Sequence, residues 1–112
     1  VKKILVLSLA LALPGVIGAD AVPRTVEITA KRFEFVPSTI TLRKGETVRL
    51  HVTSADVTHG LFLRPLKIDA ELVPGVSEDV IVTPQQAGTF TAICHHFCGA
   101  GHGNMKLTVI VE

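Results

Sequence analysis

Apolar residues recur at every second position after Arg24: Val26, Ile28 and Ala30; Ile40 and Leu42; Val48, Leu50 and Val52; Val80 and Val82. A period of two puts one set of side chains on one face of an extended segment, so each run reads as a strand with a buried face. No stretch of this region repeats with a helical period. Turn-forming residues punctuate the runs at Pro37, Lys44-Gly45, Pro65, Pro74-Gly75, Pro84 and Gly88. Short strands at fairly regular spacing predict an all-β fold, an antiparallel β-sandwich. With 112 residues the chain supplies one domain, large enough to bury a core without disulfide staples.

The first residues follow a different pattern. Lys2 and Lys3 give a positive start, Ile4 to Leu13 is nearly unbroken aliphatic sequence, Pro14 and Gly15 break it, and Ala19 and Ala21 are small enough for cleavage positions. Residues 1–19 are expected to be a secretory signal, cut after Ala19 or Ala21, ahead of a domain over 20–112. The apolar stretch is shorter than the roughly 20 residues of a spanning helix, which favours cleavage over retention as an anchor. Only retention would bring the chain to a membrane. The expected location is periplasmic or otherwise exported. Loss of Lys2 and Lys3 leaves nine basic and ten acidic residues, so the domain is near neutral and carries no basic stripe for nucleic acid.

One short segment concentrates chemistry. Cys94-His95-His96-Phe97-Cys98-Gly99-Ala100-Gly101-His102-Gly103-Asn104-Met105 sets two thiols, an imidazole and a thioether at spacings Cys-x3-Cys-x3-His-x2-Met. Thiolate and thioether sulfur select soft metals, and one Cys, two His and a weak Met make the usual electron-transfer copper site. The second Cys goes beyond that set. Two thiolates can bridge two ions, which separates a binuclear copper centre from a single-copper one. An exported chain could instead form a Cys94–Cys98 disulfide, but such a bond has no use for His102 and Met105. Gly99, Gly101 and Gly103 are expected to allow the unusual φ values of a tight turn, and Phe97 to exclude water.

The predicted strands on either side, Phe90 to Ile93 and Leu107 to Val111, hold the loop at both ends, as ligands positioned by a scaffold require. A further ligand must come from elsewhere. His59 is the leading candidate because it follows one strand and precedes the apolar run Gly60-Leu61-Phe62-Leu63, at one end of the sandwich. His51 alternates with Val48, Leu50 and Val52 and reads as a solvated strand residue. Taken alone, Met105 would be core filler and His102 an ordinary loop residue. His95 and His96 are expected to expose their side chains without ligating through them.

The stretch from Phe33 to Val48, Phe-Glu-Phe-Val-Pro-Ser-Thr-Ile-Thr-Leu-Arg-Lys-Gly-Glu-Thr-Val, resembles the first strands of cupredoxins. His59 through Met105 is similar, more specifically, to the CuA domain of cytochrome c oxidase subunit II, above all its short bacterial type. The resemblance implies a cupredoxin-like antiparallel Greek-key β-sandwich holding two copper ions. It implies that Cys94 and Cys98 bridge both ions, that His59 and Met105 complete one, and that His102 and the backbone carbonyl of His96 complete the other. It also implies a c-type cytochrome as electron donor and heme-copper oxidase subunit I as a partner.

Three functions follow from such a loop: electron transfer, copper delivery as a periplasmic chaperone, and a structural zinc site of two Cys and two His. Zinc has no need of Met105. Catalysis by the chain itself is not expected, since it has no nucleophile and base at suggestive spacing and no phosphate-binding glycine loop.

Overall fold

The computed structural model describes residues 22–112, which form nine strands. These are β1 (Arg24–Lys31), β2 (Glu34–Val36), β3 (Thr39–Leu42), β4 (Val48–Ser54), β5 (His59–Leu63), β6 (Ile68–Leu72), β7 (Glu78–Val82), β8 (Gly88–Ile93) and β9 (Lys106–Val111). One sheet runs β2-β1-β4-β7 and the other β3-β9-β8-β5-β6. The two sheets bury a common core, and the architecture is an all-β sandwich. The expected signal at 1–19 lies outside the described residues. No helix among the described residues is long and apolar enough to cross a membrane.

The period-two reading accounts for the core. Val48, Leu50 and Val52 of β4 are fully buried, whereas Arg49, His51 and Thr53 between them are half-buried on the outer face. Ile28 and Ala30, Ile40 and Leu42, and Leu61 and Leu63 are buried in the same way. Each such side chain contributes about 1.5–3 kcal/mol, or somewhat less for Ala. Strand β6 lies outside the runs that the sequence pattern picks out. Its sequence Ile-Asp-Ala-Glu-Leu alternates, burying Ile68 and Leu72, but the run is short and Ala70 gives it a weak apolar signal.

The expectation of an antiparallel sandwich is corrected at two pairings. Strands β1 and β4 pair in parallel, as do β3 and β9. Parallel neighbours need a long connection, and here the connection crosses between sheets. β1 turns back into β2, β3 joins the opposite sheet, and the chain returns as β4 beside β1 in the same direction.

His51 occupies the outer face of β4, opposite Glu27 of β1 and Asp79 of β7. Its Nδ1 lies 2.6 Å from the Asp79 carboxylate. That hydrogen bond raises the His51 pKa above 6.5, with burial opposing it and the charge of Glu27 adding to it. A raised histidine pKa gives stability that is fully present below 6.5 and is lost as pH rises through the higher folded value. In denaturant melts of wild type and His51→Gln, the stability difference is therefore expected to shrink as pH rises from about 6 to about 8.

Candidate metal centre

Strands β8 and β9 are antiparallel neighbours, and the segment from Cys94 to Met105 joins them. The ladder continues past Ile93↔Lys106, because the Cys94 amide donates to the Met105 carbonyl at 3.2 Å. Cys94 and Met105 thus face each other at the neck of the loop. Alternation also sets their direction, since Ala92 and Cys94 on one strand and Met105, Leu107 and Val109 on the other are all buried. Between them, a short 3-10 turn at His102–Asn104 presents His102.

His59 begins β5, which lies beside β8 in the same sheet. It is fully buried, and it is the one buried polar side chain among the described residues. Its Nε2 lies 2.7 Å from Asp56 Oδ1. A carboxylate accepts only, so Nε2 carries the proton and Nδ1 presents a lone pair. That lone pair faces the Cys94 sulfur at 3.9 Å. An imidazole backed by a carboxylate, with its other nitrogen directed at thiols, is the arrangement found around metal-ligating histidines.

The sulfurs of Cys94 and Cys98 are 3.8 Å apart and free, well beyond the roughly 2.05 Å of a disulfide. Tetrahedral metal–thiolate bonds of about 2.3 Å separate two sulfurs by about 3.8 Å, so the pair already stands at the spacing of two ligands on one ion. Cys94 Sγ lies 3.1 Å from the His96 carbonyl, and Cys98 Sγ lies 3.8 Å from both His102 Nδ1 and Met105 Sδ. The donor atoms of His59, Cys94 and Cys98 fall within 4.8 Å of one another, while His102 approaches from the Cys98 side. Two soft sulfurs with imidazole and thioether around them fit copper chemically. Burial, and then the neighbouring Cys94, push the Cys98 thiol up to about 11, against the pull of the Arg32 guanidinium. Metal uptake at neutral pH must therefore displace a thiol proton.

Other loop residues are placed differently from the sequence reading. Of the three loop glycines only Gly99 takes a left-handed φ, at 140°. Gly101 is needed instead for space, because a Cβ there would lie 2.5 Å from the Phe33 ring. Phe97 is 73% exposed and belongs to the outer surface rather than to a dry lining. Its ring centroid is 5.7 Å from that of His102. His95 and His96 are exposed, with the His95 ring 4.5 Å from Phe62. His51 is remote from the loop in pairing, held by Asp79.

Three supporting residues were not read from sequence. Asp56 accepts from the amides of Arg32 and Val57 as well as from His59. Arg32 donates its Nε to the Cys98 carbonyl at 2.8 Å. Gly60 lets β5 approach the loop, since a Cβ there would meet the His95 and His96 backbone at 3.0–3.1 Å. Main chain cannot yield as a flexible side chain can. Gly60→Ala is therefore expected to lower stability by about 1–3 kcal/mol and to weaken copper binding, as measured by thermal melting of the apo chain and competition with a Cu(I) chelator.

A profile of the cupredoxin-like domain matches residues 3–111. Two cytochrome c oxidase subunit 2 proteins of Thermus thermophilus are 34% identical to this chain over 88 residues, which is 79% of its length. The match covers 65% of one and 52% of the other, so the chain spans about two thirds of its relatives' length or less. A chain of a heme-copper terminal oxidase dimer superimposes with a TM-score of 0.72 at 27% identity, covering 80% of this chain and 65% of that one. The periplasmic domain of cytochrome oxidase subunit II from Bradyrhizobium japonicum gives a TM-score of 0.73 at 18% identity, covering 80% of this chain and 83% of that one. At that identity the second likeness speaks for the fold alone.

Proposed function

This chain belongs to the cupredoxin-like family, and from that premise we propose that it is an exported electron-transfer protein whose metal centre is binuclear copper of the CuA type. The observation that carries the reading is a pair of free sulfurs 3.8 Å apart with a histidine nitrogen against each, His59 at 3.9 Å from Cys94 and His102 at 3.8 Å from Cys98. A tetrahedral ion uses four donors. Two thiols, two imidazoles, a thioether and a carbonyl exceed one such ion, and two ions sharing the thiolates employ them all. Cys94 and Cys98 would be shared, His59 and Met105 would complete one position, and His102 with the His96 carbonyl would complete the other.

Bound copper supplies a one-electron couple. The chain's contribution is to hold the ligands still. Cys94 and Met105 are locked at the neck of a strand pair, Asp56 fixes the His59 tautomer, and burial keeps solvent from the sulfurs. Ligands that do not move on electron transfer keep the barrier low.

The donor proposed is a c-type cytochrome, and the acceptor a heme-copper oxidase of the kind to which the subunit 2 relatives belong. Docking would use the outer face of the loop, where exposed Phe97 lies beside His102 and where His95 and His96 are also exposed. Copper delivery is the competing reading. A delivery protein needs ligands that an acceptor can reach, whereas His59, Cys94, Cys98 and Met105 are all buried.

Rapid mixing of reduced c-type cytochrome with the oxidised copper-loaded chain tests the proposal. Electron exchange should be fast with copper retained, and Phe97→Glu should slow it about tenfold, the effect of about 1.4 kcal/mol at a central contact. Release of copper to a Cu(I)-binding acceptor, without electron exchange, would favour delivery instead.

A further inference from the structure

Both arms of the metal centre are tied to one residue of the β1–β2 turn. The Arg32 amide donates to Asp56 Oδ2 at 2.8 Å, and the other oxygen of that carboxylate lies 2.7 Å from His59 Nε2. The Arg32 side chain reaches the opposite way, its Nε donating to the Cys98 carbonyl at 2.8 Å. An unbroken hydrogen-bonded path therefore runs from His59 through Asp56 and Arg32 to the peptide of Cys98.

The Cys98 end of this path has little stiffness of its own. Its carbonyl belongs to the peptide leading into Gly99, which sits at φ 140°. Glycine restrains rotation there less than any other residue would. The Cys94 side differs, because its backbone is part of the β8–β9 ladder. An external donor is thus the means of fixing the Cys98 peptide, and with it the direction of the Cys98 sulfur. The neighbouring Phe33 ring, packed on Gly99 and Gly101, holds the turn against the loop.

We propose that Arg32 is a positioning residue for the metal centre, its guanidinium Nε–H fixing the Cys98 arm relative to His59. The inference rests on the reading of this loop as a copper site, but not on the number of ions it holds.

The test uses three forms of the whole chain: wild type, Arg32→Ala and Arg32→Gln. Glutamine places an amide N–H as far along the side chain as the arginine Nε, without the charge. Cu(I) affinity is measured by competition with a chromophoric chelator, the apo chains are melted, and the β-proton resonances of both cysteines are followed by paramagnetic NMR. Loss of an outer hydrogen bond to a ligand typically costs 10- to 100-fold in metal affinity. Arg32→Ala should lose about tenfold or more, with Cys98 resonances shifting more than those of Cys94, while its apo melting temperature stays near wild type. Arg32→Gln should recover most of the affinity. Wild-type affinity and spectra in Arg32→Ala would overturn the proposal. Equal loss in Arg32→Gln would overturn it too, leaving charge as the cause, and so would a loss matched by apo destabilisation with unchanged cysteine resonances. The copper stoichiometry of the wild type separately reports whether the binuclear reading fails.

Discussion

Replacing Cys98 by serine is expected to leave the sandwich folded and to reduce bound copper from two ions per chain to one or fewer. The Cys98 sulfur touches three other donors, Cys94 Sγ, His102 Nδ1 and Met105 Sδ, each at 3.8 Å. A serine oxygen is a hard ligand and does not bridge soft ions as a thiolate does. Without the shared sulfur, His102 loses its link to the Cys94 side, and at most a single-copper site built on His59, Cys94 and Met105 remains. The fold suffers less. The substitution buries a hydroxyl in place of a thiol, costing about 1–3 kcal/mol, while the β8–β9 ladder is untouched. Metal analysis and the copper–thiolate charge-transfer bands measure the first effect, and apo melting the second.

Asp56→Ala should produce the next largest change. It removes the acceptor of the buried His59 Nε2–H and of the Arg32 and Val57 amides together. Each donor left without a partner costs about 1–3 kcal/mol if water cannot reach it, and loss of the carboxylate behind a ligating histidine costs about 10- to 100-fold in metal affinity. Asp56→Asn should fall between Ala and wild type, since it keeps one carbonyl acceptor. The acid behaviour of the apo chain provides a further check. Burial works to raise the Asp56 pKa, but the Arg32 amide, His59 and the Val57 amide outweigh it and hold the carboxyl at about 2, below its usual 3.8. A lowered carboxylate pKa gives stability that is fully present above 3.8 and lost as pH falls toward 2. Wild type should therefore lose stability relative to Asp56→Ala across that interval, as measured by denaturant melts.

Strands with a clean period of two were legible in the sequence because one face is buried. β4 is the clearest case, with Val48, Leu50 and Val52 fully buried. The parallel pairings of β1 with β4 and β3 with β9 were not, since alternation specifies a strand's faces and says nothing of its neighbours. The spacing of Cys94, Cys98, His102 and Met105 pointed to a soft-metal loop because four donors of three types rarely crowd so closely without one. The support behind it was harder to read. Asp56 stands three residues before His59, and an acid so near a candidate histidine ligand was a usable signal. Arg32 is 66 residues from Cys98, and an arginine in a turn looks like any solvated one. Gly101 suggests dihedral freedom in sequence, yet its role comes from the Phe33 ring lying against it. Contacts between distant segments leave no local pattern.

The central claim is that Cys94 and Cys98 share two copper ions. Electron paramagnetic resonance of the oxidised chain, loaded with copper from the reduced dithiol form and paired with metal analysis, tests it most directly. The absence of Trp and Tyr leaves the accompanying charge-transfer bands little obscured. Two ions per chain, with hyperfine structure from one unpaired electron spread equally over both, is the predicted result. One ion per chain with its electron localised on a single copper, or two that give no shared signal, would contradict it.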